Sequence, residues 1–86
     1  MFEFDPKKSE LNEQKHGINF VDAQQLWLVE GVTLESRFSE ESRFMLIAEI
    51  HSGCWTAIFT RRVDKIRIIS VRRSRKNEKE FLYAKK

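Results

Sequence analysis

The chain has 86 residues, 41% of them hydrophobic, with only three Gly and one Pro; this excludes a disordered segment and a multidomain protein and leaves one small core. A single cysteine, Cys54, excludes an internal disulfide and a multi-cysteine metal site. The net charge of +3 hides an asymmetry, because residues 61–86 carry eleven Lys/Arg against three acids while residues 1–60 carry five against ten.

Met1-Phe2-Glu3-Phe4 reads as a short strand. Asp5-Pro6 starts a helix, since Asp accepts from free first-turn N–H groups and Pro fits the first helical position. That helix runs from Pro6 to about His16 and stops at Gly17. Leu11 is nearly its only apolar residue, so few contacts hold it and Asn12, Lys15 and His16 remain available for other work. Asn19 caps a second helix in which Phe20, Ala23 and Trp27 form one apolar stripe, ended by Gly31.

From Val32 the period changes to two. Val32, Leu34, Ser36 and Phe38 alternate with polar residues, and Ser39 to Ser42 is a polar turn. Arg43 to Ile50 is the next strand, with Phe44, Leu46, Ala48 and Ile50 toward the core and Met45 and Ile47 on a second, partly apolar face. His51-Ser52-Gly53 turns the chain into Cys54 to Arg61, which buries Trp55, Ala57 and Phe59; Cys54 in this apolar run reads as an inert core residue. Arg62-Val63-Asp64 is a third turn. It leads into Lys65 to Arg73, a central strand by its apolar residues on both faces: Ile66 and Ile68 on one, Ile69 and Val71 on the other. Ser74 caps a last helix from Arg75 to about Ala84. The order β-α-α-β-β-β-β-α predicts a single α+β domain over residues 1–86, its helices packed on one face of a mostly antiparallel sheet.

Arginines on a rigid strand are pre-positioned to meet phosphates, so the basic strand points toward nucleic acid. The blocks Phe2-Glu3-Phe4-Asp5-Pro6-Lys7, Lys15-His16-Gly17-Ile18-Asn19-Phe20 and Arg67-Ile68-Ile69-Ser70-Val71-Arg72-Arg73 occur in an order and spacing that resemble the BrnT family. These are the toxins of a bacterial type II toxin–antitoxin system. The resemblance implies a RelE-like fold, an endoribonuclease that inhibits translation, and RNA as substrate. It also implies a BrnA-type antitoxin whose ribbon-helix-helix part binds operator DNA, in a two-plus-two heterotetramer, so that the toxin meets the operator only through its partner. Val71 stands where the family usually has Ala, and the last helix is less basic than in the common pattern.

RNA is cleaved without a metal when a base removes the 2′-OH proton, cations stabilise the charge on phosphorus, and an acid protonates the leaving oxygen. No cofactor or metal is called for. His16 is the titratable candidate, against the plainer reading of a histidine favoured by a helix C-terminus. Lys15 is a second cation or a solvated surface residue. Arg67 and Arg72 are cations that cannot act as bases, and strand alternation puts Arg67 and Arg73 on one face and Arg72 on the other unless a bulge intervenes. Arg73, Ser70 and Tyr83 are candidate RNA contacts, with solubility or antitoxin pairing as the alternative for the arginines. A non-catalytic module that binds nucleic acid or the antitoxin is the competing function. With no run of about 18 apolar residues and no basic leader into an apolar stretch, the expected place is the cytoplasm, away from membranes.

Overall fold

The computed structural model describes residues 1–36 and 42–85. Five strands form one sheet: β1 (Phe2–Glu3), β2 (Gly31–Ser36), β3 (Arg43–Ile50), β4 (Gly53–Arg62) and β5 (Lys65–Arg73). Their order is β1-β5-β4-β3-β2, antiparallel except for β1, which lies parallel to β5. Three helices accompany them, α1 (Pro6–His16), α2 (Phe20–Ala23) and α3 (Lys76–Lys85), with a 3-10 segment at Gln24–Leu28 after α2. The α+β class and the element order are those expected from the sequence. The expected strand turn position Phe38 and residues 39–41 lie outside the described residues.

One face of the sheet carries the main core. Leu46, Ala48, Ile50, Trp55, Ala57, Phe59, Ile68 and Val71 meet Ile18, Phe20, Ala23 and Leu26 from the helical side. Phe20, Ala23 and Leu26 are spaced by three, the period of a 3-10 turn, and all three are fully buried. Asn19 caps α2 as expected, accepting from the Asp22 N–H at 2.8 Å.

The helices are not all on that face. Ile47 and Cys54, one residue out of phase with the main core, form a second cluster with Leu82 of α3 and with Val32 and Leu34. Alternation along β3 and β4 puts these side chains on the opposite side of the sheet, so α3 packs behind it. Of the residues that mark the apolar second face of β3 in the sequence, Ile47 is the one that packs against α3. Two further expectations change. Leu11 is 61% exposed, whereas Ser9 and Asn12 are buried; α1 is attached by polar groups. Ser74 does not cap α3, but is buried and bonded to Cys54 Sγ at 3.2 Å and Thr56 Oγ1 at 2.8 Å. Glu78 instead reaches back to the Arg75 N–H at 2.8 Å, the return half of a capping box.

Both tight hairpin turns contain left-handed residues that are not glycine. His51 and Ser52 have φ of 51° and 62°, as a two-residue type I′ turn requires, and Val63 has φ of 43° in the β4–β5 turn.

Candidate nucleic-acid interface

The register between β4 and β5 contains a bulge that decides where every basic side chain goes. Ile58 pairs with Ser70 and Phe59 with Ile68, leaving Ile69 unopposed. Beyond it the alternation shifts by one. Val71 therefore joins Ile66 and Ile68 on the core side, which overturns its expected pairing with Ile69. The arginines change partners as well: Arg67 and Arg72 now share the face behind the core, with Ser70 between them, and Arg73 stands on the core side beside Trp55. Alternation was expected to put Arg67 and Arg73 on one face unless a bulge intervened, and this bulge separates them.

The face behind the core holds Arg67 beside Thr60 and Lys65 beside Arg62, with Met45, Ile58 and Ser70 forming one row across three strands. Arg67 makes only a long ion pair with Glu3, at 3.5 Å, and both side chains are one-third exposed. Thr60 Oγ1 is buried with no hydrogen-bond partner.

A groove of about 180 Å³ opens between α1 and the bulge, lined by Lys8, Leu11, Asn12, Lys15, His16, Ile69 and Ser70. Positions 8, 11, 12, 15 and 16 fall on one helical stripe, so α1 presents two ammonium groups and an imidazole along a single wall. The helix is held there by Asn12. Its amide donates to Val71 O and Ile18 O, each at 2.8 Å, and its Oδ1 accepts from Val71 N at 3.1 Å. Strand β1 ends after Glu3, opposite Arg67, so the β5 edge further along lacks a neighbouring strand. The Asn12 amide replaces one, presenting a donor and an acceptor to Val71 as a backbone would. Ser9 Oγ accepts from Phe20 N at 2.9 Å and ties α1 to α2. Gly17, at φ 84°, ends α1 with its N–H on Glu13 O at 2.9 Å, leaving His16 half-buried in the last turn.

Arg72 is occupied differently. Its guanidinium makes two 2.8 Å hydrogen bonds to the two carboxylate oxygens of Glu78, which also accepts from Thr56 Oγ1 at 2.9 Å. Arg72 hydrogen bonding, opposed by burial and helped by the Arg75 N–H and Thr56, holds the Glu78 carboxyl at about 2, well below the usual carboxylate range. Glu78 in turn raises the Arg72 guanidinium, mainly through the same hydrogen bonds. This pair fastens α3 to β4 and β5.

Of the residues singled out in the sequence, the groove brings together Lys15, His16 and Ser70, and Arg67 shares Ser70's face of the sheet. Arg72 lies further along that face, locked to Glu78. Arg73 is on the other face, and Tyr83 is half-exposed on α3, next to the inward Leu82. Sequence reasoning missed Asn12 and Glu78 as the two fasteners. Asn12 carried a signal, standing three residues after Ser9 on a helix with almost no apolar residue to attach it. Glu78 carried another, three residues after Arg75, where a capping carboxylate sits.

No helix among the described residues is long and apolar enough to cross a membrane. No curated protein matches the chain. Residues 4–78 match the family described as ribonuclease toxin, BrnT, of type II toxin-antitoxin system. That match takes in the first sequence block from Phe4 on, the other two blocks whole, the groove and the Arg72–Glu78 fastener, and the chain belongs to the BrnT family.

Proposed function

We propose that this chain cleaves RNA at the groove between α1 and the β5 bulge, without a metal, and that a cognate BrnA-type antitoxin silences it. The observation that carries the reading is the convergence of Lys15, His16 and Ser70 around one 180 Å³ groove that continues onto the Arg67 face. The phosphodiester lies over Ser70, whose hydroxyl donates to a phosphate oxygen. Lys15 and Arg67 flank it from the helix and the strand and stabilise charge developing on the phosphoryl oxygens. His16 exchanges the proton: the 2′ oxygen loses its proton and bonds to phosphorus, the bond to the 5′ oxygen breaks, and that oxygen is protonated. The products are a 2′,3′-cyclic phosphate and a 5′-hydroxyl. Arg72 acts through Glu78, by fixing the end of β5 and the start of α3, and Tyr83 on that helix is the outlying RNA contact. Translation stops because the messenger is cut, in the cytoplasm where toxin, antitoxin and RNA meet. The complex is a two-plus-two heterotetramer, whose ribbon-helix-helix part carries it to operator DNA.

The test is RNA incubated with the purified chain in EDTA, without antitoxin. Cleavage is expected, with His16→Ala, Lys15→Ala and Arg67→Ala each slower by about 10²-fold or more and melting unchanged. Intact RNA after long incubation with folded protein overturns the reading, and salt-dependent binding without cleavage would establish the non-catalytic alternative.

A further inference from the structure

We infer that Arg73, seated on Trp55 at the His51–Ser52 end of the sheet, is an anchor for a carboxylate of the protein partner, on the face opposite the RNA groove. The inference rests on the reading of the chain as a toxin neutralised by an antitoxin, and it names where that partner holds on.

The Arg73 guanidinium lies 4.4 Å from the centre of the Trp55 ring. Its place depends on Gly53, where an added Cβ would collide with Arg73 Nη1 and come within 3.2 Å of Trp55 Nε1. The guanidinium thus occupies the space that a side chain at position 53 would take. Among the described residues no acid pairs with Arg73, and the Trp55 Nε1 beneath it is buried without a hydrogen-bond partner. Arg67 and Arg72, by contrast, each have a glutamate. A partner carboxylate can meet the planar fork of the exposed guanidinium, which the Trp55 ring beneath holds in place.

The surroundings select a protein over RNA. An RNA backbone is followed by several cations in a row, and those are on the other face, whereas this end offers one guanidinium on an aromatic ring beside apolar surface. Gly31 pairs with Ala48 and Val29 is extended, so the chain before β2 runs back toward the end of β3 and the His51–Ser52 turn. That approach carries Leu28, 84% exposed, and Val29, 43% exposed. Arginine and tryptophan, with apolar neighbours, are the residues that dominate protein interfaces. The fitting occupant is an antitoxin segment with an Asp or Glu flanked by apolar residues.

The experiment measures affinity of the full chain for its co-encoded antitoxin by calorimetry, for wild type, Arg73→Ala, Arg73→Lys and Gly53→Ala. Arg73→Ala is expected to weaken binding at least thirtyfold, and Arg73→Lys to recover only part of this because an ammonium lacks the planar fork. Gly53→Ala keeps every charge and displaces the guanidinium, so at least a tenfold loss is expected from it too, with melting as the control on folding. Affinities for all three variants within twofold of wild type overturn the inference. So does an Arg73→Ala chain that keeps antitoxin affinity and loses tenfold in RNA affinity, which would make the site a nucleic-acid contact. A wild-type chain that dimerises through this end would assign it to a second copy. Wild type that cuts RNA and binds no antitoxin removes the partner premise itself, an outcome distinguishable from failure at Arg73 alone.

Discussion

Replacing Glu78 by Gln tests whether one ion pair holds α3 in place. The side chains of Arg72 and Glu78 are 21% and 5% exposed, so solvent screens the pair only weakly. Glu78 titrates at about 2 against an ordinary 4.5, a difference that corresponds to about 3 kcal/mol of folding stability. Gln keeps the shape and can still accept from Thr56 and the Arg75 N–H, but its amide group faces the guanidinium and the charge is gone. The expected loss at pH 7 is therefore about 2–3 kcal/mol, at the low end for breaking a buried pair because Arg72 is partly wet.

The pH dependence gives the sharper test. A carboxyl held below its unfolded value contributes fully above that value, and the contribution disappears as pH falls toward the folded one. Wild type should thus lose this increment between about pH 5 and about pH 2, with more than half gone by about pH 3, while the Gln variant has nothing to lose at that position. Urea unfolding of both proteins at pH 7 and pH 3 measures the gap between them. A gap under about 1 kcal/mol at pH 7 would show that the pair contributes little. A gap of equal size at both pH values would show that Gln disturbs packing, and the electrostatic account would be refuted.

Three other substitutions have defined expectations. Asn12→Ala leaves Val71 N and O and Ile18 O without their partner, so a loss of about 3 kcal/mol in urea unfolding is expected, together with slower RNA cleavage as Lys15 and His16 lose their position; a loss under 1 kcal/mol would contradict the clasp. Val63→Gly relieves a β-branched residue from a left-handed conformation and should raise stability by about 1 kcal/mol, read as a higher melting temperature. Thr60→Val removes a buried hydroxyl that has no partner, and a gain of up to about 1 kcal/mol is expected; a loss of similar size would mean that the hydroxyl is bonded in solution.

What the sequence made legible was whatever depends on neighbours along the chain. The Asp5 and Asn19 caps, the stop at Gly17 and the alternation of β3 and β4 follow from local rules, and each stands where the residues place it. Two kinds of information were not local. One is the far side of the sheet: Met45 and Ile47 showed that β3 is apolar on both faces, but only Leu82 packed against Ile47 shows which helix covers the second one. The other is the attachment of α1, where Asn12 was expected to be free and instead holds the helix, because the unpaired stretch of the β5 edge offers hydrogen bonds.

The bulge at Ile69 shows most clearly why residue identity alone does not place a site. Every side chain between Lys65 and Arg73 was visible, and strict alternation gave a definite answer, with Arg67 and Arg73 together. One unopposed residue reverses that answer for everything after it. With period two, a single insertion exchanges the faces. Were Ile69 paired in a regular ladder, Val71 would leave the core and Ser70 would enter it, so the buried Val71 and the groove-lining Ser70 are consequences of the same irregularity. Deletion of Ile69 should therefore leave a regular ladder in which Ile68 and Ser70 stay opposite Phe59 and Ile58 and every side chain keeps its face. Val71 would remain in the core and Arg72 beside Glu78, and the change would be confined to the groove wall that Ile69 lines. Separately, Ile69→Ala should keep the fold and the positions of Arg67, Arg72 and Ser70. A deletion variant that melts far below Ile69→Ala would show that the ladder cannot close over the missing residue, and this account of the bulge would be refuted.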